Sequence, residues 1–117
     1  DCRDDMSFVT EEVFGPLMAV LAFEDEGEVV ARANATPYGL AAGVFTRDFD
    51  RAHRVADALE AGVVWINDYN VLPPSLPFGG HKQSGLGHEN GVATIDHYTR
   101  RRSIYARVDP GPRPGDR

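Results

Sequence analysis

Leu40-Ala41-Ala42-Gly43-Val44-Phe45-Thr46 and Val63-Val64-Trp65-Ile66-Asn67 bracket a helical stretch at residues 48–61, and their reading decides the fold. Both are short apolar runs of the kind that suits strands buried on two faces. Between them Phe49, Ala52, Val55, Ala56 and Leu59 recur at three- and four-residue steps, with Asp48 as N-cap and Gly62 as the C-terminal stop. A strand, a helix and a second strand of this length form a parallel βαβ unit.

The pattern extends upstream. Residues 17–23, Leu17-Met18-Ala19-Val20-Leu21-Ala22-Phe23, are a continuous apolar run and read as a first strand. Asp25 with Glu28 resembles a capping pair, followed by Val29, Val30 and Ala33 at helical spacing. That helix is expected to stop before Thr36-Pro37, because Pro37 disfavours a helical residue ahead of it. The expectation is therefore an α/β fold with a three-stranded parallel βαβαβ unit. Residues 1–10 read as polar and irregular.

Downstream of Asn67, about twenty residues with three prolines and four glycines precede the next helical pattern at His88. A loop of that length in a compact domain points to function. It also leaves the carboxyl end of the third strand, where ligands of parallel sheets sit. A short helix over residues 88–97, a strand over residues 99–108 and a flexible tail over residues 109–117 complete the reading.

Composition narrows the class. Hydrophobic residues make up 42% and charged residues 26% of the 117, the balance of a globular protein. A net charge of −6 argues against a nucleic-acid or anionic-membrane surface. Arg100-Arg101-Arg102 alternates across a strand and reads as a solvated edge. The longest apolar run is too short to span a bilayer, and Asp1-Cys2-Arg3-Asp4-Asp5 does not resemble a secretory leader. A single cysteine forms no intrachain disulfide, so a reducing compartment, the cytoplasm, is expected.

Three kinds of site fail on spacing. Gly79-Gly80-His81-Lys82-Gln83-Ser84 lacks the adjacent lysine and serine of a P-loop. Gly85-Leu86-Gly87 lacks a dinucleotide fingerprint, since Gly91 falls one position late. His53, His81, His88 and His97 show no metal-ligand spacing, and no second cysteine completes a cluster, so no metal is expected. Cys2 has no base nearby.

Glu11-Glu12-Val13-Phe14-Gly15-Pro16 is different. A carboxylate two residues before an aromatic, on a Gly-Pro turn, offers acceptors for paired hydroxyls beside an apolar face for a flat ring. In local chemistry alone it also reads as a solvated turn.

Together with Pro77-Phe78-Gly79-Gly80-His81-Lys82-Gln83-Ser84-Gly85-Leu86-Gly87, and with the order and separation of both stretches, this element resembles the NAD(P)-dependent aldehyde dehydrogenase superfamily. Tyr38-Gly39-Leu40-Ala41-Ala42-Gly43-Val44-Phe45-Thr46 and residues 62–67 are similar to further signatures of that family. Asn67-Asp68-Tyr69-Asn70 and Glu89-Asn90-Gly91 resemble its betaine-aldehyde and aminoaldehyde branch. His81, His88 and Leu72 depart from the usual tyrosine, arginine and aromatic residue.

The resemblance implies the C-terminal part of a catalytic domain at residues 1–98 and an oligomerisation strand at residues 99–108. It implies that Glu12 binds the nicotinamide ribose hydroxyls and Phe14 packs beside the nicotinamide ring of NAD or NADP. Phe78 and Leu72 would border the aldehyde entrance, with Asn70 on the same loop and Lys82 structural. The partners implied are a small aldehyde, the cofactor and further copies in a dimer or tetramer. In the implied reaction a cysteine thiolate attacks the aldehyde, hydride leaves to the cofactor, and a glutamate activates water on the thioester. Nucleophile and base lie upstream in the family, so none of the catalytic residues is expected among these 117, and Cys2 does not occupy the nucleophile position. A different class of reading is a non-catalytic binding or assembly module that augments a partner's sheet with its last strand.

Overall fold

A computed structural model describes residues 2–108 together with Gly111 and Gly115. Its centre is the βαβ unit. Strand β2, Ala41–Val44, and strand β3, Val63–Ile66, pair in parallel with Ala41 opposite Val63 and Val44 opposite Ile66. Helix α3, Phe49–Ala58, crosses between them and packs on both strands. Asp48 caps it by accepting from the Arg51 N–H at 3.0 Å. The helix ends at Ala58, three residues short of the expected end at Ala61, with Leu59 already extended. Ala52, Val63 and Trp65 are the buried apolar residues of this core.

Helix α2, Glu26–Asn34, begins on Asp25, whose carboxylate accepts from the Glu28 N–H at 2.8 Å. Glu28 reaches back one residue beyond the cap, to the Glu24 N–H at 2.8 Å, so the expected capping pair forms with its return bond displaced. The helix ends before Thr36-Pro37 as the proline requires. Glu26 then ties α2 to α3, taking Arg54 Nε at 2.6 Å and Nη2 at 2.9 Å, with Arg51 Nε at 3.4 Å.

Two carboxylates here sit below their ordinary values. The Arg54 hydrogen bond chiefly lowers Glu26, and the Arg51 N–H chiefly lowers Asp48. A depressed folded value means that the stabilisation is complete above the ordinary values, 4.5 and 3.8, and is lost as pH falls through the lower folded ones. Melting temperature is therefore expected to stay level above about pH 5 and to decline below it. Glu26→Gln should make that decline shallower, and a melting profile of the same slope in both proteins would contradict the assignment.

A second ladder joins strand β1, Tyr38–Gly39, to strand β4, His81–Lys82, antiparallel, with Tyr38 opposite Lys82 and Gly39 opposite His81. It brings the glycine-rich run onto the turn after α2. Before the βαβ unit, α1, Ser7–Thr10, is one helical turn where an irregular segment was expected. After β4, a single 3-10 turn at Val92–Thr94 and α4, Ile95–Tyr98, occupy the later part of the stretch expected to be helical over residues 88–97.

Two expected strands do not form ladders. Residues 17–23 and 99–108 pair with no strand among the described residues, so the sheet has two parallel strands rather than three. The physical reason is that a strand is defined by a neighbour within about 4.8 Å, and apolar patterning supplies the side chains without the neighbour. Met18 is 84% exposed and Tyr105 91% exposed, as apolar residues without a facing layer must be. The radius of gyration, 23.1 Å, far exceeds the value of about 13 Å for a compact 100-residue domain. The expected tail at residues 109–117 lies outside the described residues except at Gly111 and Gly115.

Candidate functional site

The glycine-rich run is held by backbone and by one lysine. Gln83 N–H donates to Pro37 O at 3.0 Å, and Gly39 N–H donates to Ser84 Oγ at 2.9 Å. Gly62 meets this run at Gly79, and a β-carbon on Gly62 would overlap the Gly79 carbonyl oxygen. That contact explains a glycine at the start of β3 better than helix termination does, because α3 has already ended. Lys82 sits at φ 51° and spends its ammonium on three oxygens: Asn34 O at 2.7 Å, Thr36 O at 3.3 Å and Glu60 Oε2 at 2.6 Å. A cation on the last carbonyls of α2 is favourable both as donor and toward the helix dipole. The expected structural role of Lys82 is what the geometry provides.

Phe78 exchanges both backbone hydrogen bonds with Glu89, at 2.8 and 2.7 Å. Its side chain lines an open cavity of about 370 Å³ with Leu40, Ser84, His88, His97 and Tyr98. Asn70 and Leu72 lie on the same long loop, outside that lining. Asn70 adopts a left-handed φ of 59°, which asparagine tolerates. The loop between them is pinned from beneath, where Trp65 Nε1 donates to Val71 O at 2.9 Å and the Tyr69 ring meets Trp65 edge-on at 5.5 Å.

Glu12 and Phe14 stand apart from these residues. Successive three-residue turns, Gly15 N–H to Val13 O at 2.9 Å and Leu17 N–H to Gly15 O at 2.8 Å, kink the chain around Gly15-Pro16. Phe14 is 97% exposed, and among the described residues Glu12 has no hydrogen-bond or ionic partner. No hydrogen bond or ion pair among the described residues joins residues 11–16 to residues 68–91. An unpartnered carboxylate two residues from a bare aromatic face suits a ribose diol beside a planar ring, so these side chains fit the nicotinamide end of a dinucleotide. Among the described residues no group of three or more His, Cys, Asp and Glu side chains could hold a metal ion.

Asn67 matters more than its place in a signature suggests. Its N–H donates to Val44 O at 2.8 Å, and its side-chain amide makes a reciprocal pair with Thr46, accepting from N–H at 2.8 Å and donating to O at 2.9 Å. The visible signal was an asparagine closing an apolar strand, a residue type that enters positive φ readily; here φ is 55°.

The fold is thus an α/β segment in which one long loop leaves the carboxyl end of β3, the end where ligands of parallel sheets bind, and returns as the glycine-rich run to the amino ends of β2 and β3. Residues 1–104 match the aldehyde dehydrogenase family, and the chain belongs to that family. It is 59% identical over 110 residues to betaine aldehyde dehydrogenase 1 of Rhizobium meliloti (strain 1021), covering 94% of this chain and 23% of that protein. It is 61% identical over 105 residues to betaine aldehyde dehydrogenase of Sinorhizobium fredii (strain NBRC 101917 / NGR234), covering 90% of this chain and 22% of that protein. The NAD+ complex of an aldehyde dehydrogenase from Bacillus cereus superposes on 93% of this chain and 22% of that one, with a TM-score of 0.87 and 50% identity. The chain therefore spans less than a quarter of the length of the curated relatives it matches. No helix among the described residues is long and apolar enough to cross a membrane.

Proposed function

We propose that the full-length protein carrying this chain oxidises an aldehyde to a carboxylate with NAD or NADP, and that this segment forms one wall of the nicotinamide site and part of the aldehyde entrance. The observation that carries the reading is Phe14, 97% exposed beside an unpartnered Glu12, in a chain of this family. When bound, the nicotinamide supplies the hydride acceptor. The Glu12 carboxylate accepts hydrogen bonds from the ribose hydroxyls, and the Phe14 face packs against the ring and restricts its rotation. Phe78 and Leu72 border the aldehyde entrance, and Asn70 offers it an amide. The nucleophilic thiol and the general base belong to sequence outside this chain. Betaine aldehyde, named in the curated relatives, is the substrate to test first.

The two exposed arms belong to the same reading. Residues 17–23 complete a third strand beside α/β structure outside this chain. Residues 99–108 add to the sheet of another subunit of a homo-oligomer, with Ile104 78% and Tyr105 91% exposed for that contact.

The test is aldehyde-dependent reduction of NAD by the full-length protein and its Glu12→Gln variant. The glutamine side chain is isosteric but accepts through one oxygen and carries no charge, so the ring is held less firmly. A misplacement of about 1 Å costs on the order of a hundredfold, so turnover is expected to fall between tenfold and a hundredfold with an unchanged melting temperature. Unchanged turnover and cofactor affinity would remove Glu12 from the site.

A further inference from the structure

We propose that Asn67 is a positioning residue that sets the direction in which the aldehyde-entrance loop leaves the sheet; the proposal rests on the aldehyde-oxidising reading above. In the parallel ladder the last backbone bond is Asn67 N–H to Val44 O at 2.8 Å. Beyond it the chain turns away at φ 55°, and the segment after β2 would be left with the N–H and C=O of Thr46 unpaired. The Asn67 side chain takes both, Oδ1 from the N–H at 2.8 Å and Nδ2 to the O at 2.9 Å. A carboxamide presents an acceptor oxygen and a donor nitrogen side by side, so it adds one rung to the ladder while the backbone departs.

That extra rung couples two properties. It keeps the carboxyl ends of β2 and β3 together, and it holds Asn67 in the left-handed conformation at which the chain leaves the ladder toward Asp68 and Tyr69. Earlier on the same strand, Trp65 is 8% exposed and donates to Val71 O at 2.9 Å, so the loop is fixed again between Asn70 and Leu72. Asn70 and Leu72 flank that second anchor, and Asn67 sets the angle of approach to it. Displacing the first anchor swings both entrance residues without touching Glu12 or Phe14, which lie on a separate segment.

The substitutions separate side chain from backbone. Asn67→Gly keeps the positive φ at low cost and removes both bonds to Thr46. Asn67→Asp keeps the acceptor but sets a carboxylate against the Thr46 carbonyl oxygen. In the full-length protein, Asn67→Gly is expected to raise KM for the aldehyde about tenfold, within the range for two ordinary hydrogen bonds, with kcat and KM for NAD within about twofold. Hydrogen–deuterium exchange over residues 68–72 should rise by a similar factor while exchange within α3 stays as it was, and Asn67→Asp should fall between.

Faster exchange with an unchanged aldehyde KM would overturn the positioning role, and unaltered exchange over residues 68–72 would overturn the anchor itself. A loss shared equally by aldehyde and NAD would mark Asn67 as a general structural residue and also overturn the proposal. Absence of aldehyde turnover in the unsubstituted protein would instead overturn the functional reading, with the exchange measurement still deciding the anchor.

Discussion

Gly62→Ala in the full-length protein is expected to destabilise the fold by about 3 kcal/mol, the upper end of what one added carbon costs in a packed site. The new β-carbon would occupy the position of the Gly79 carbonyl oxygen, with the Gly79 carbonyl carbon 2.8 Å away and Gly80 Cα 3.4 Å away. All three obstacles are backbone, so no side-chain rotamer relieves the clash. Relief requires either β3 or the glycine-rich run to move. Gly62 N–H also donates to Gly39 O at 3.0 Å, which ties β3 to the turn that the run docks on. Movement of the run would open the Phe78 cavity as well, so activity should fall with stability. Denaturant midpoints of the two proteins test this, and equal midpoints would show that the approach relaxes without cost.

Lys82→Met should be the next largest effect, about 2 kcal/mol, the range for hydrogen bonds to a charged group. Methionine keeps much of the stem and removes the ammonium, leaving the carbonyls of Asn34 and Thr36 and the carboxylate of Glu60 without it. The lysine side chain is only 25% exposed, so water replaces the lost donors incompletely. The substitution also leaves a residue at φ 51° whose left-handed conformation the three contacts had helped to hold. Lys82→Arg is not expected to rescue, because a planar fork does not reproduce a compact ammonium that points at three oxygens. A melting temperature for Lys82→Met within about a degree of the unsubstituted protein would contradict this bracing role.

Much of the local structure was legible in the chain. Asp25 and Asp48 are both N-caps, Pro37 does end α2, and the apolar runs on either side of α3 do pair in parallel. Each of these follows from neighbours within a few residues: a short acceptor side chain before a helix, a proline that excludes a helical predecessor, and branched side chains that suit a buried strand. The expected helix over residues 88–97 was read from spacing alone, and only its second half turns, where Val92 and Ile95 are already 84% and 58% exposed and supply little packing to extend it. The arms at residues 17–23, an apolar run, and 99–108, an arginine-rich stretch, are both expected as strands and neither pairs among the described residues, because pairing is a property of two segments.

By itself the sequence determined the βαβ unit, its caps and the family, since these are written in contiguous residues and in motifs whose order survives without coordinates. Only the tertiary structure decided what the shared motif residues do. Gly62 matters because Gly79, distant in sequence, comes within contact; Lys82 matters because α2 ends beside it; and Asn67 matters because Thr46 runs out of ladder at the same level. The reason is that a caps-and-periodicity reading captures bonds between near neighbours along the chain, whereas each of these three residues is held by a segment 17 to 48 positions away along the sequence, as for Lys82 and Asn34 at the far end of that range and Gly62 and Gly79 at the near one.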